Sequence, residues 1–173
     1  MKSFKLSLIN VACILLLFTP GLAFALELEK LNSDLVQLDG KKLEKAKDID
    51  LASKKYVAFY YSAHWCPPCR AFTPELSKFY DKMQKKHGDD FELVFVSSDQ
   101  SAAAMAEYME WGDMEFPALA FKGKGAQMMG PFGARGIPYL VVLDQNGKEV
   151  LGKGKEDWVH PGKLLPELKD LLE

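Results

Sequence analysis

The chain has 173 residues, which leaves room for a targeting segment and one domain, and 48% of them are hydrophobic. Lys and Arg number 22 against 24 Asp and Glu. This mildly acidic balance argues against nucleic acid or an anionic membrane as a main partner.

The amino-terminal 25 residues have the pattern of a secretory signal peptide. Two lysines precede an apolar run from Leu6 to Phe18, and small residues lead up to Ala25. We expect cleavage after Ala25 and export to the periplasm or the medium, with residues 26–173 as the mature domain. An uncleaved membrane anchor is the alternative, although the apolar run is short for a membrane span.

Cleavage would change both the cysteine content and the charge. Cys13 would be lost, so that Cys66 and Cys69 would remain as the only cysteines. The two lysines lost with the signal would leave 20 basic and 24 acidic residues, a charge of −4. An exported protein with a single cysteine pair has no disulfide scaffold, so we expect the pair to be the working part.

Three apolar stretches predict strands of a sheet. Leu35 to Leu38, followed by the turn signal Asp39-Gly40, predicts a short edge strand before the core. Tyr56 to Tyr61 is continuously apolar, as expected of a central strand that is buried on both faces. Phe91 to Val96 predicts the next, parallel strand.

Apolar residues at three- and four-residue spacing predict three helices. The first runs from the cysteines to His87-Gly88, the second from about Ser101 to Trp111, and the third follows Pro161-Gly162. Asp99 or Ser101 is expected to cap the second helix. The residues expected to face the core are Phe72, Leu76, Phe79 and Met83, then Met105, Tyr108 and Met109, and finally Leu164, Leu165, Leu168, Leu171 and Leu172.

The remaining pattern predicts a loop and a hairpin. Residues 112–137 are rich in glycine and are predicted to be irregular. Tyr139 to Leu143 and Lys148 to Leu151 predict two antiparallel strands joined by a turn at Asn146-Gly147. The order strand, helix, strand, helix, hairpin and helix indicates an α/β fold.

Cys66 and Cys69 lie at the junction between the predicted central strand and the first helix. Two cysteines separated by two residues in this context are typical of a redox site. A sulfur at the start of a helix faces unpaired backbone N–H groups and the positive end of the helix dipole, which lowers the pKa of Cys66. Pro67 and Pro68 suit the first helical turn and stiffen the small ring. A structural disulfide and a metal site are the alternatives.

The segment Trp65-Cys66-Pro67-Pro68-Cys69-Arg70, preceded by Ser62-Ala63-His64, resembles the active site of the nucleoredoxin and tryparedoxin branch of the thioredoxin superfamily. Other segments that resemble this family are Pro74, Phe116 to Phe121 and Gly136-Ile137-Pro138. The resemblance implies a thioredoxin fold, in which a central mixed β-sheet is flanked by helices. It also implies that Pro138 follows a cis peptide bond and faces the cysteines.

The mechanism expected of this pair is thiol–disulfide exchange. Cys66, exposed at the N-terminal position of the pair, would attack a substrate disulfide and form a mixed disulfide. Cys69 would then resolve that mixed disulfide as the second nucleophile.

Neighbouring residues are expected to support this exchange. Tyr60 stands where ordinary thioredoxins carry a buried acid, so the deprotonation of Cys69 lacks its usual carboxylate. Arg70 and His64 flank the motif, where a positive charge would stabilise a thiolate. The residues expected to contact the substrate are Trp65, Ile137 and Pro138.

The first hypothesis is an exported thiol–disulfide oxidoreductase that acts on protein substrates as a reductant, with no cofactor besides the Cys66–Cys69 disulfide. We expect a monomer without metal, served by a redox partner that the sequence does not identify. A disulfide-donating oxidant is one alternative, because the sequence does not set the direction of electron flow. A metal-binding or chaperone-like module of the same fold is another, although one dithiol supplies few ligands for zinc.

Overall fold

The computed structural model describes residues 28–133, 136–152 and 158–173. The predicted signal peptide and its cleavage site lie outside these ranges. In the part of the chain that is described, no helix is both long enough and apolar enough to cross a membrane.

The described strands form one mixed, seven-stranded sheet. They are β1 (Leu35–Asp39), β2 (Lys42–Lys45), β3 (Tyr56–Ser62), β4 (Phe91–Ser97), β5 (Ala118–Leu119), β6 (Tyr139–Asp144) and β7 (Glu149–Leu151). Their spatial order is β2-β1-β5-β4-β3-β6-β7. β3, β4 and β5 are parallel neighbours, whereas β1, β2, β6 and β7 join through antiparallel pairs.

Helices cover this sheet. The α-helices are α1 (Pro67–His87), α2 (Ala102–Trp111), α3 (Lys124–Met128) and α4 (Leu165–Leu172), and residues 28–32 are also helical. Short 3₁₀ turns lie at Leu51–Ser53, Gly130–Phe132 and Pro161–Lys163. The predicted architecture, a mixed sheet flanked by helices in an α/β fold, is confirmed.

The side chains of β3 alternate between two core layers, because successive residues of a strand point to opposite faces. Ala58 and Tyr60 belong to the layer that α1, α2 and α4 complete. Val57, Phe59 and Tyr61 belong to the layer on the other face. The prediction that this strand is interior and buried on both faces is therefore confirmed.

The helix faces also follow the sequence prediction. In α1, Phe72, Leu76 and Met83 are buried, and Phe79 packs partly buried against the same core. Ser101 is the N-cap of α2, where its Oγ accepts a hydrogen bond of 3.1 Å from the amide of Ala104. This cap satisfies one of the amide groups that the first turn leaves without a partner.

Two expectations, one for β1 and one for residues 112–137, were wrong. The predicted edge strand, β1, lies second in the sheet, because β2 folds back on it after Gly40 (φ +59°) and forms the edge. Residues 112–137, predicted to be irregular, contain β5 and α3. β5 has two residues and α3 has five, so neither is long enough to show a periodic pattern.

Candidate active site

Cys66 occupies the N-cap position of α1, in extended backbone geometry (φ −93°, ψ 108°). Pro67 and Pro68 form the start of the helix, and the first turn carries no acidic residue. No side chain caps this end, and since Pro67 and Pro68 have no N–H, the first turn offers the sulfur the positive end of the helix dipole and at most the amide of Cys69. The sequence predicted this position, and the geometry favours a thiolate at Cys66.

Cys66 and Cys69 are joined by a disulfide, with their Cα atoms 5.2 Å apart. Cys69 is fully buried, and Cys66 is only 3% exposed. The expectation of an exposed Cys66 is therefore wrong for the disulfide form. The reason is that Ala63 and Ile137 pack around the two sulfurs and cover them.

The segment 136–138 lies beside the disulfide. The Ile137–Pro138 peptide bond is cis, as the family resemblance implied. The carbonyl oxygen of Ile137 is 3.7 Å from Cys66 Sγ. A disulfide sulfur carries no proton, so this contact becomes a hydrogen bond only when Cys66 is a thiol.

Trp158 forms a hydrogen bond with this segment. Its indole Nε1 donates a hydrogen bond of 2.9 Å to the carbonyl oxygen of Pro138, while the residue as a whole remains 46% exposed. This residue was not predicted from the sequence. A single tryptophan 20 positions from its partner belongs to no periodic pattern or motif that points to such a contact.

Trp65, the residue before Cys66, is largely exposed. It is 58% exposed, and its Nε1 donates a hydrogen bond of 3.1 Å to the carbonyl oxygen of Ser98, which fixes the indole at the carboxyl end of β4. A cavity of about 310 Å³ opens beside it. The residues that line this cavity are His64, Trp65, Arg70, Asp99, Gln100 and Ala104.

Asp99 connects β4 to the segment that precedes the cysteines. Its Oδ1 accepts a hydrogen bond of 2.8 Å from the amide of His64, and its Oδ2 accepts one of 2.8 Å from the hydroxyl of Ser97. The alternative prediction that Asp99 caps α2 is therefore wrong. The carboxylate instead holds the backbone two residues before Cys66.

Beneath the first turn of α1, four buried hydroxyl groups form a closed hydrogen-bonded set, which we name the hydroxyl ring. Its members are Tyr60 and Ser62 of β3, Thr73 of α1 and Tyr108 of α2. Burial raises the pKa of the Tyr60 and Tyr108 hydroxyls above their ordinary value. Tyr60, which stands in place of the buried acid of ordinary thioredoxins, therefore remains a neutral hydroxyl.

The remaining histidines and acids form no further reactive cluster in the described ranges. His160 accepts a hydrogen bond from the amide of Gly162 and packs edge-on against Phe72, with the ring centroids 5.4 Å apart. In those ranges no group of three or more His, Cys, Asp or Glu side chains is placed to hold a metal ion.

A Cys-X-X-Cys disulfide at the start of a helix, beside a cis-proline and on a mixed sheet, defines a thioredoxin-type redox protein. The sequence matches the family model described as thioredoxin-like over residues 54–149, which is more than half of the chain. The chain belongs to the thioredoxin-like family, and its thioredoxin, nucleoredoxin and tryparedoxin relatives are thiol–disulfide oxidoreductases.

Individual relatives agree with this assignment. Probable nucleoredoxin 1 of Arabidopsis thaliana is 38% identical over 135 residues, which are 78% of this chain and 23% of that protein. Tryparedoxin of Trypanosoma brucei brucei is 34% identical over 114 residues, 64% of this chain and 76% of that protein. The chain therefore spans about a quarter of the nucleoredoxin and about three quarters of the tryparedoxin.

Solved structures share the fold. Thioredoxin from Wuchereria bancrofti superposes with a TM-score of 0.61 at 35% identity, covering 81% of this chain and 96% of that one. Tryparedoxin II from Crithidia fasciculata superposes with a TM-score of 0.63 at 31% identity, covering 84% and 92%.

Proposed function

We propose that the protein reduces disulfide bonds in protein substrates through Cys66 and Cys69. One observation carries this proposal: Cys66 begins α1, is bonded to Cys69 and lies against the cis segment at Ile137. This arrangement gives one sulfur a site that favours its thiolate and places a second sulfur within bonding distance.

The reaction has two exchange steps. The Cys66 thiolate attacks one sulfur of the substrate disulfide, that bond breaks, and the second substrate sulfur leaves as a thiolate. The Cys69 thiolate then attacks Cys66, which breaks the mixed disulfide and releases the first substrate sulfur. Two electrons have passed from the dithiol to the substrate, and the released thiolates take up protons from water.

Burial supports this order of attack. Cys69 is completely covered, whereas Cys66 keeps a small exposed fraction and is followed by the exposed residues Pro67 and Pro68. A substrate therefore meets Cys66 first. Ile137 lies against that sulfur, and we assign Ile137, Pro138 and the exposed Trp65 to the surface that contacts the substrate. Arg70, which lines the cavity beside Trp65, adds a positive charge to this surface.

Reduction, rather than oxidation, is the direction that we assign. Similarity to thioredoxin and tryparedoxin structures supports it, because thioredoxin has a reduction potential of about −270 mV, whereas the oxidant DsbA has about −120 mV. Equilibration of the Cys66–Cys69 pair with glutathione buffers measures this potential. A value near that of DsbA would assign the protein to the oxidants instead.

We also propose that the protein acts outside the cytosol as a monomer after loss of residues 1–25. The signal-like pattern of charge, apolar residues and small residues supports this, and it is carried by the sequence alone. Cell fractionation followed by amino-terminal sequencing tests the proposal, with Leu26 as the expected first residue. An intact Met1 in the cytosolic fraction would contradict it.

The decisive test of the exchange reaction is to trap its intermediate. Cys69→Ser keeps the attacking sulfur and removes the resolving one, so this variant should accumulate mixed disulfides with a protein substrate such as insulin. Cys66→Ser is the matched control and should trap none. The opposite result would invert the roles of the two cysteines. Stoichiometric metal in the purified protein without insulin reduction would favour the metal-binding alternative.

A further inference from the structure

The hydroxyl ring connects three elements of the fold directly below the cysteine pair. Tyr60 Oη and Thr73 Oγ1 are 2.9 Å apart, Thr73 Oγ1 and Tyr108 Oη 2.5 Å, and Tyr108 Oη and Ser62 Oγ 2.9 Å. Ser62 closes the ring by donating to Tyr60 Oη at 3.0 Å. All four residues are fully buried. These hydrogen bonds connect β3, α1 and α2 inside the core, in addition to the apolar packing between the same elements.

Thr73 links this ring to the resolving cysteine. Its hydroxyl donates a hydrogen bond of 2.9 Å to the backbone carbonyl oxygen of Cys69. Since each hydroxyl has one proton, Thr73 can only accept within the ring. Ser62 donates to Tyr60 and Tyr60 donates to Thr73, so the Tyr108 proton goes either to Thr73 or to Ser62. Hydroxyls that accept hydrogen bonds become stronger donors, so Tyr60, joined by Tyr108 when it donates to Thr73, strengthens the bond that holds Cys69.

Tyr108 extends the same support toward Cys66. The imidazole of His64 stacks on the Tyr108 ring, with centroids 5.2 Å apart and planes 14° apart. His64 lies two residues before Cys66, and its amide is held by Asp99. The segment before the attacking sulfur and the helical turn that carries the resolving sulfur therefore rest on one buried network.

The ring holds position rather than supplying a proton acceptor. Its four side chains are hydroxyls, and burial raises the pKa of both tyrosines, so they remain neutral at ordinary pH. In contrast to a buried carboxylate, a neutral ring does not draw a proton from a thiol. What it controls is the placement of the Cys69 backbone.

We propose that the hydroxyl ring is a positioning element for the resolving step. It fixes the first turn of α1 through the Cys69 carbonyl, in the orientation from which the Cys69 sulfur reaches Cys66 in the mixed disulfide. This inference rests on the proposed exchange reaction. In the step concerned, the Cys69–Cys66 bond forms, the Cys66–substrate bond breaks, and the substrate sulfur leaves as a thiolate.

Two substitutions at Thr73 separate placement from stability. Thr73→Val keeps the side-chain volume and removes the hydroxyl, whereas Thr73→Ser keeps the hydroxyl and removes the methyl group that packs beside Gly112. In single-turnover reactions of the full chain with a protein disulfide, Thr73→Val should slow resolution about tenfold, because misplaced reacting groups lose rate steeply. Thr73→Ser should resolve at close to the wild-type rate even if it unfolds more easily.

Formation of the mixed disulfide provides the internal reference. Its rate depends on Cys66 and on access to substrate, so Thr73→Val should leave it within about twofold of wild type. Tyr108→Phe removes the hydroxyl that contacts both Thr73 and Ser62, and it should slow resolution in the same sense. Tyr80→Phe is the matched control. This buried tyrosine belongs to α1, as Thr73 does, but it donates to Glu92 Oε1 at 2.9 Å and takes no part in the hydroxyl ring.

The outcomes are distinct. Slow resolution in Thr73→Val and Tyr108→Phe, with normal resolution in Thr73→Ser and Tyr80→Phe, supports the positioning role. Wild-type resolution in Thr73→Val and Tyr108→Phe overturns it, as does equal slowing in Tyr80→Phe. If the wild-type protein forms no mixed disulfide, the proposed function itself fails and this inference fails with it.

Discussion

The indole N–H of Trp158 donates to the carbonyl oxygen of Pro138, and so ties the last part of the domain to the segment that covers the cysteines. We proposed this segment as part of the substrate-binding surface, so its placement should matter for substrate binding. Removal of this hydrogen bond should therefore affect substrate binding more than the chemistry of the sulfurs.

Trp158→Phe keeps an aromatic side chain and removes the N–H donor. A net loss of about 1 kcal/mol, typical of one hydrogen bond, corresponds to a KM increase of about fivefold for a protein disulfide, with little change in kcat. Steady-state insulin reduction measures both constants. Trp111→Phe is the comparison, since Trp111 is similarly exposed but lies against His64 and Tyr108, so that any effect of this change should appear in kcat and leave KM unaltered. An unchanged KM in Trp158→Phe would contradict the prediction.

Arg70 should influence which substrates react. This exposed residue lines the cavity beside Trp65 and adds a positive charge to the approach toward Cys66. Arg70→Glu should lower the ratio of rates for an anionic disulfide, DTNB, over a cationic one, cystamine, by about fivefold at low ionic strength. The change should shrink in high salt, because mobile ions screen exposed charges.

Lys78→Glu provides the matched charge reversal for this experiment. Lys78 is an exposed residue of α1 that does not line the cavity. It should leave the ratio of the two rates close to the wild-type value. Equal ratios for Arg70→Glu and Lys78→Glu would show that only the net charge matters.

Glu92 should make the stability of the fold depend on pH. The residue is 5% exposed, and its carboxyl accepts hydrogen bonds from Tyr80, Gln84 and the amide of Leu93. Burial raises the pKa of Glu92 above the ordinary 4.5, and these hydrogen bonds only partly oppose the shift. The protonated form is thus favoured in the folded state.

The sign of the effect follows from linkage. The stability that Glu92 contributes is fully present below pH 4.5 and is lost as the pH rises through its folded-state pKa. Glu92→Gln should remove this loss. The free energy of unfolding of the variant should therefore increase relative to that of wild type as the pH rises. Urea denaturation at a series of pH values measures the difference. Parallel pH profiles would contradict the prediction.

Ser101 should stabilise α2 as its N-cap. Ser101→Ala removes the acceptor for the Ala104 amide and should lower the free energy of unfolding by about 1 kcal/mol. Ser98→Ala is the control, because Ser98 is also exposed but lies outside the helix and forms its hydrogen bonds through its backbone. Equal urea midpoints for Ser101→Ala and wild type would show that the cap has no energetic role.

Local patterns were sufficient to predict the central part of the fold. Three features could be predicted because each depends on residues that are close in the sequence. They are the apolar run of β3, the spacing of Phe72, Leu76 and Met83 in α1, and the Asn146-Gly147 turn. The position of the cysteine pair at the start of α1 was also predicted from neighbouring residues, since an apolar strand precedes the pair and a helical pattern follows it.

The sequence could not reveal contacts that join distant elements. Tyr108 meets Thr73 and Ser62 across 35 and 46 residues, and Trp158 meets Pro138 across 20. β5 exists because β1 and β4 hold its two residues on either side. Tyr108 was predicted as an inward residue of α2, and its apolar spacing gave no indication that its hydroxyl would be used.

The near-complete burial of Cys66 beneath Ile137 has a consequence for how the protein is recycled. In the disulfide form, the surface around Cys66 that an electron donor can contact consists mainly of Trp65, Pro67 and Pro68, and almost no sulfur is accessible. A small free thiol such as glutathione has little contact surface with which to displace Ile137 and should react slowly, whereas a folded donor protein that binds around Trp65 should displace it readily. We therefore expect the oxidised enzyme to choose its donor by surface fit before any electron moves.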